Sequence, residues 1–258
     1  MESENVKYNW SEDFAEEAKK VVSQDCSSLS SFTYNKFEHE ASKMWNLFYK
    51  HNSTNFFKDR HYLLREFSEL HNVSSLREVG CGVGNAIFPL LRTNFSVQIQ
   101  ACDFSSQAIS LLRSHPEFSE DRITTDVCDI AQAPPKFQEV DCVTMLFVIS
   151  AIAPELQRQA VLNATSGLKA GGVVLFRDYA RYDEAQVRLA KKGGKKLKDN
   201  FYLKQDGTRV YYFLKEEVTQ LFEGFECQEI NYCYREIQNR KEQQVMHRVW
   251  IQAKFRVN

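Results

Sequence analysis

The stretch Glu78-Val79-Gly80-Cys81-Gly82-Val83-Gly84-Asn85 carries the residue types and spacing most suited to chemistry in this chain. It reads as a strand end, a glycine turn and a helix start. The glycines let backbone N–H groups approach a ligand where a Cβ would clash. An acidic residue, Asp103, closes the next strand, and this layout predicts a nucleotide pocket at the carboxyl ends of parallel strands. A dinucleotide fingerprint requires its last glycine at the sixth place of G-x-G-x-x-G. Here the third glycine comes one residue early, at Gly84, and Asn85 holds the sixth place. That spacing argues against a NAD-dependent oxidoreductase, as does the lack of a second catalytic domain.

G-x-G-x-G is the form seen in methyltransferases that use S-adenosylmethionine. In such a pocket Gly80, Gly82 and Gly84 would line the methionine end, with the following helix N-terminus near its carboxylate. Asp103 would accept from the ribose hydroxyls; its alternative is to cap the helix starting at Ser105. Asp129 would accept from the adenine amino group, or else merely form a turn, and Ile130 would pack on the ring. Leu146 would lie under the methyl donor. The fourth strand end, MLFV (145–148), is apolar and lacks the Asn/Asp-Pro-Pro-Tyr of many base-amino methyltransferases. No Pro-Cys pair exists for a pyrimidine C5 mechanism. The acceptor should therefore be an atom that already owns a usable lone pair. A non-catalytic RNA- or partner-binding subunit would need neither the glycines nor Asp103.

The elements that must position these residues follow from periodicity. From Ser75 to Asp178 strand and helix alternate, which argues for a parallel sheet covered on both faces. Strands are expected at 76–79, 97–102, 122–127, 139–147 and 172–177, and helices near 85–92, 105–114 and 154–169. Gly171-Gly172 is read as the C-cap of the last helix. Arg77 sits where a buried strand would prefer an aliphatic, so it is expected to snorkel outward. Beyond Asp178 come a helical stretch, a basic loop at 191–196, a strand at 208–213, a helix at 215–222 and a long hairpin, 226–236 and 245–256. The fold class expected is α/β: a Rossmann-like, class I methyltransferase with a seven-stranded, mostly parallel sheet, a terminal antiparallel hairpin and an N-terminal helical extension. Three regions are drawn: an acidic, serine-rich segment at 1–31, a helical extension at 32–72, and the methyltransferase domain at 73–258 with an insert near 180–213. In the first, Trp10, Phe14 and Ala18 share a helical face, either a docking helix on a tether or a loose terminus.

Composition bounds the partners. Apolar residues are 43% and charged residues 26%, enough for a globular core and against disorder. The net charge of -1 means that nucleic acid must be met by local patches or through a partner protein. The seven cysteines show no C-x-x-C pair, which argues against a zinc ribbon, and the reading is no metal and a reducing compartment. The acidic start has no apolar signal core, and no apolar run is long enough to span a membrane. A cytoplasmic protein, also nuclear, is expected.

Three stretches outside the sheet carry a resemblance: WNLFYKHNSTNFFKDRHY (45–62), FRDYARY (176–182, followed by Gln186 and Arg188) and NFYLKQDGTRVYYF (200–213). With GCGVGN (80–85) they resemble the tRNA methyltransferases that make N3-methylcytidine at position 32 of the anticodon loop, from about Tyr34 to the C-terminus. NSTNFF (52–57) is more similar to the branch acting on serine tRNAs than to the threonine/arginine branch. Ala180 stands where the family usually has glycine, and Lys204 where arginine is common. Lys204 can meet a phosphate as a point charge but not as a fork.

The resemblance implies S-adenosylmethionine as donor, S-adenosylhomocysteine as product and serine tRNA as substrate, with seryl-tRNA synthetase assisting. Cytosine N3 carries an in-plane lone pair, so the task is orientation and field rather than strong base catalysis. Asp178, held by Arg177 and Tyr179, is the candidate carboxylate for the developing cation, with a structural ion pair as its alternative. Trp45 and Tyr49, one helical turn apart, are placed over the cofactor as a lid, or else pack the core. Phe56, Phe57, Lys58, Arg60 and His61 mix stacking groups with charge, as a splayed loop base requires. Arg188, Lys204 and Arg209 complete the expected RNA contacts. The competing readings keep the donor but move it to threonine or arginine tRNA, a protein or a small molecule.

Overall fold

The computed structural model describes residues 12–239 and 244–257; Trp10 and part of the polar run 238–244 lie outside them. The chain opens with α1 (Glu12–Gln24), α2 (Ser31–His39), α3 (Ala41–Asn52) and the single turn α4 (Leu63–Glu66). Ser30 starts α2 because its extended backbone lets its hydroxyl accept the orphan N–H of Thr33 at 3.2 Å. The alternating region follows: β1 (Ser75–Val79), α5 (Ile87–Leu91), β2 (Gln98–Asp103), α6 (Ser106–Arg113), β3 (Ile123–Val127), β4 (Val140–Leu146), α7 (Pro154–Thr165) and β5 (Leu168–Tyr179). The rest is α8 (Glu184–Lys192), β6 (Lys196–Lys198), β7 (Phe201–Leu203), β8 (Arg209–Tyr211), α9 (Lys215–Leu221), β9 (Glu226–Asn239) and β10 (Gln244–Arg256).

The main sheet has the order β3-β2-β1-β4-β5-β10-β9. Strands β1 to β5 are parallel, and β10 runs antiparallel between β5 and β9. Both faces are covered. Val79, Val143, Met145, Val174 and Phe176 belong to one apolar cluster; Leu76, Ile99, Ala101, Cys142 and Leu175 belong to the other. That is why the central strands read as near-continuous hydrophobic runs rather than alternating ones.

Three local expectations are corrected. Arg77 does not snorkel outward: it is 1% exposed, and its guanidinium donates to the carbonyls of Ala164, Ser166 and Gln138 and to Gln100 Oε1. The last carbonyls of α7 have no helical partner, and the buried arginine supplies the donors. The C-cap reading at Gly171-Gly172 also fails. Helix α7 ends at Thr165, the turn is made at Gly167 (φ +73°), and Lys169–Gly172 already lie in β5. Pairing of Val140 with Leu168 draws the chain into the sheet early. Finally, the strand expected at 208–213 is shorter and sits in a separate sheet, β6-β7-β8, tied to the main one by a bridge between Ala180 and Phe213.

The N-terminal helices lie on these elements. Helix α1 packs on α8, with Lys191 Nζ 3.0 Å from Glu17 and the Phe14 ring 5.7 Å from His247. Helix α3 packs on α6, where the Asn46 side-chain oxygen accepts from Ser105 Oγ (2.8 Å) and Gln107 N (3.1 Å). No helix among the described residues is long and apolar enough to cross a membrane.

Candidate cofactor and acceptor site

A cavity of about 1020 Å³ opens where β1 to β5 end, roofed by α3, the 56–62 segment and the small sheet. At one end, Gly80 (φ +63°) and Gly82 (φ +54°) hold backbone that other residues rarely adopt. A Cβ on Gly80 would come within 2.3 Å of Val148, and one on Gly82 within 2.7 Å of the Tyr49 hydroxyl. The turn is pinned to β2: Cys81 N–H donates to Cys102 O (3.0 Å), and Gly82 N–H donates to Asp103 Oδ2 (3.0 Å). Gly84 is placed differently from the other two. A Cβ there would meet Phe88 at 2.4 Å and Leu112 at 2.6 Å, so its smallness lets α5 pack on α6 rather than opening the cavity.

Asp103 faces the cavity from the end of β2, and its other oxygen accepts Ser105 N–H (2.9 Å). The cap of α6 itself is Ser105, whose hydroxyl accepts Ala108 N–H (3.1 Å). Burial pushes the Asp103 carboxyl up to about 6, against the pull of its N–H donors. Asp129 lies at the rim and closes its own turn by accepting Ala131 N–H (2.9 Å). Ile130, beside it, is buried and held by Asn163 Nδ2 on its carbonyl (2.8 Å). Leu146 ends β4 on the cavity floor. Trp45 and Tyr49 line the cavity and also pack with Phe48, Val83 and Ala108, so lid and core packing are one arrangement.

The other end is aromatic and cationic. Phe147 takes a positive φ (+63°), a strained backbone for a bulky residue, and this turns the chain out of β4 beneath the cavity. Its ring lies 4.9 Å from Tyr179 and 5.5 Å from Trp250. The Arg60 guanidinium stands 5.0 Å from the Phe147 ring centroid, and Arg248 stands 5.4 Å from that of Tyr179. Lys204 Nζ stands 5.5 Å from the Trp45 ring; no carboxylate among the described residues pairs with it, and burial lowers its pKa.

Of the expected catalytic trio only Tyr179 reaches the cavity. Asp178 is fully buried, accepts Ser150 N–H (2.9 Å) and Tyr179 N–H (2.9 Å), and so anchors the turn at 148–151. Burial raises its carboxyl to about 6. Arg177 projects from the opposite face of the strand, as alternation demands, and pairs with Glu66 and Gln252. It does not hold Asp178.

The expected RNA contacts divide in the same way. Phe56, Phe57, Lys58 and Arg60 line the cavity mouth, with Phe56 exposed and the two rings 4.8 Å apart. His61 is exposed outside it. Arg188 lies on the outer surface of α8 with Glu184 at 2.6 Å. Arg209 lines the cavity but is 7% exposed, pairs with Glu38 and donates to Ala151 O (3.1 Å), so it also ties α2 to the 149–151 turn. Sequence reasoning missed Glu78, Phe147, Arg248 and Trp250. Glu78 is buried at the cavity with Thr144 Oγ1 donating to it, and burial pushes it up to about 7. An acidic residue in a buried strand was its available signal. Arg248 and Trp250 carried none, because only the β10 register brings them to the site.

The strand order, the glycine turn and the acidic β2 terminus define a class I S-adenosylmethionine-dependent methyltransferase. A family described as a methyltransferase domain matches residues 77–174. Among solved structures, a SAM-dependent methyltransferase from Anabaena variabilis superposes with a TM-score of 0.64 at 15% identity, covering 84% of this chain and 95% of that one. The N-methyltransferase NodS from Bradyrhizobium japonicum, in complex with S-adenosyl-L-homocysteine, gives 0.54 at 21% identity, covering 87% and 98%. The Mus musculus protein named tRNA N(3)-cytidine methyltransferase METTL6 is 44% identical over 93% of this chain and 89% of its own length. The Danio rerio tRNA N(3)-cytidine methyltransferase METTL2 is 35% identical over 96% and 82%. This chain belongs to the tRNA N(3)-cytidine methyltransferase family.

Proposed function

We propose that this protein transfers a methyl group from S-adenosylmethionine to N3 of cytidine 32 in the anticodon loop of serine tRNA. The observation that carries the proposal is the continuity of one cavity between the Gly80–Gly82 turn with Asp103 and the aromatic, cationic end at Phe147, Tyr179 and Trp250. The donor end fits its ligand in kind: close backbone at two glycines, a carboxylate at the β2 terminus, and apolar walls at Ile130 and Leu146. When bound, S-adenosylmethionine supplies an electrophilic methyl group on a cationic sulfur. Gly82 and Asp103 would hold its sugar and amino-acid end, and Asp129 and Ile130 would flank the adenine.

The acceptor end suits an unstacked base, which needs π-faces and a few polar groups around it. Phe147, Tyr179 and Trp250 provide the faces. Lys204 supplies a donor and positive charge for a base carbonyl or a phosphate, Arg248, whose Nε is held by the buried Asp183, offers its remaining N–H groups as donors, and Phe56, Phe57, Lys58 and Arg60 meet the flanking nucleotides at the mouth. Burial raises the Tyr179 phenol, so it stays neutral and competes for no methyl group. The N3 lone pair needs no base, and Asp178 serves by fixing the 148–151 turn under the acceptor rather than by meeting charge directly.

Serine tRNA is supported by NSTNFF (52–57) and by the greater identity to METTL6 than to METTL2 relatives. Seryl-tRNA synthetase would supply the tRNA grip that a chain of net charge -1 lacks. The site of action is cytoplasmic and nuclear. The test is nucleoside mass spectrometry of serine, threonine and arginine tRNAs from cells with and without the gene. Loss of N3-methylcytidine from serine tRNA alone is expected; unchanged levels in all three would overturn the proposal, and loss from threonine tRNA would move it to the other branch.

A further inference from the structure

The segment 56–62 crosses the cavity mouth with no helix or strand of its own, yet it is fastened at both ends. At one end stands Asn85, the residue occupying the sixth place after the glycines. Its side-chain amide donates to Phe57 O (3.2 Å) and Asp59 Oδ1 (3.2 Å), and its backbone carbonyl accepts Arg60 N–H (2.7 Å). At the other end Glu66 pairs with Arg177 and, at 3.2 Å, with Arg235. The Arg177 guanidinium lies 4.7 Å from the Tyr62 ring centroid, and the Tyr62 hydroxyl accepts from Arg60 Nη1 (3.3 Å). The chain of contacts runs from the sheet through Glu66, Arg177 and Tyr62 to Arg60, whose guanidinium stands over Phe147 in the cavity.

Stability is a poor reason for such an arrangement. Taking an arginine and a glutamate out of water costs about as much as their pairing returns, and apolar residues of equal volume often do as well. Arg177 is 1% exposed, and its Nε has no partner among the described residues. What the network does provide is a fixed direction for Tyr62, and through it for Arg60.

We propose that Arg177, Tyr62 and Asn85 are positioning residues that act through Arg60, holding its guanidinium at the cavity for the acceptor RNA. The inference rests on the proposed function for Arg60's target but not for the geometry. The test is a double-mutant cycle on full-length protein. Tyr62→Phe, Asn85→Ala and Arg177→Lys are each made in wild-type and Arg60→Ala backgrounds, with kcat on tRNA, cofactor Kd and amide hydrogen exchange measured. Each variant is expected to lower kcat by about 10-fold in the wild-type background and by little once Arg60 is gone. Cofactor Kd should move less than about 2-fold, and exchange across 56–62 should rise while β1, β4 and β5 stay protected. Equal fold-losses in both backgrounds, or unchanged exchange across 56–62, would overturn the proposal. Tyr62→Phe removes one hydroxyl and preserves the ring, so it keeps the test valid should Arg177→Lys fail to fold. A wild-type protein that transfers nothing to tRNA would sink the functional reading instead, and the exchange experiment would still decide the positioning role.

Discussion

Glu78 and Asp103 share the donor end of the cavity, and both carboxyls are raised by burial, to about 7 and about 6. Their protonated forms favour the ligand-free fold. That contribution is complete below about pH 4 and is lost as the pH rises through about 6 to 7. A cationic ligand has the opposite preference, because it favours the ionised carboxylates. S-adenosylmethionine affinity should therefore climb from about pH 5 to about pH 8, with protons released on binding near pH 6 to 7. Calorimetry in two buffers of different ionisation heat measures both; a flat affinity would remove these carboxyls from the cofactor site. Asp103→Ala should weaken the cofactor by about 10- to 100-fold, since Gly82 N–H loses its acceptor and the ligand loses a carboxylate. Asp178→Ala should act on stability instead. It leaves the Ser150 and Tyr179 N–H groups buried without a partner, a loss of about 1–3 kcal/mol readable from the urea midpoint. The glycines and Asp103 were legible in the sequence because they are local: a turn and a strand end within one β-α-β unit. The direction of Arg177 was legible only in part, since alternation sets it opposite Asp178 but does not name the face that meets Glu66.

At the scale of elements, the central strands were readable from apolar runs, and their ends matter more than their middles. Arg77 shows the limit. A charged residue in a buried strand suggests an outward-pointing end, yet the C-terminus of α7, far away in sequence, needs donors and takes them from β1. Arg77→Leu should destabilise the protein by about 3 kcal/mol through orphaned carbonyls while leaving cofactor affinity in the folded fraction unchanged. Chemical denaturation and calorimetry on the same sample separate the two. The short sheet β6-β7-β8 was illegible for a related reason. Its strands are three residues each, too brief for any period to register, and pairing across the insert defines them.

Across the described residues, several of the cations expected to meet RNA, or close to them, are paired within the chain. Lys191 meets Glu17, Lys198 meets Glu155, Arg188 meets Glu184 and Arg209 meets Glu38. In the basic loop at 191–196, Lys191 and Lys196 are paired, with Glu17 and Asp199. Binding of isolated tRNA should accordingly show a shallow salt dependence, with a log–log slope of about −2 to −4, and adding seryl-tRNA synthetase should raise methylation of serine tRNA. Filter binding across salt concentrations measures the first and timed methylation assays the second; a slope near −8 would demand a phosphate surface on this chain larger than the cavity mouth.

Glu66 is synthesised before the residues that grip it, Arg177, Arg235 and Gln252, which lie far along the chain. A ribosome-bound chain therefore carries the roof of its catalytic chamber well before it owns the wall that supports it. Closure of that chamber therefore waits on contacts between distant parts of the chain, which form more slowly than the local helices of the roof.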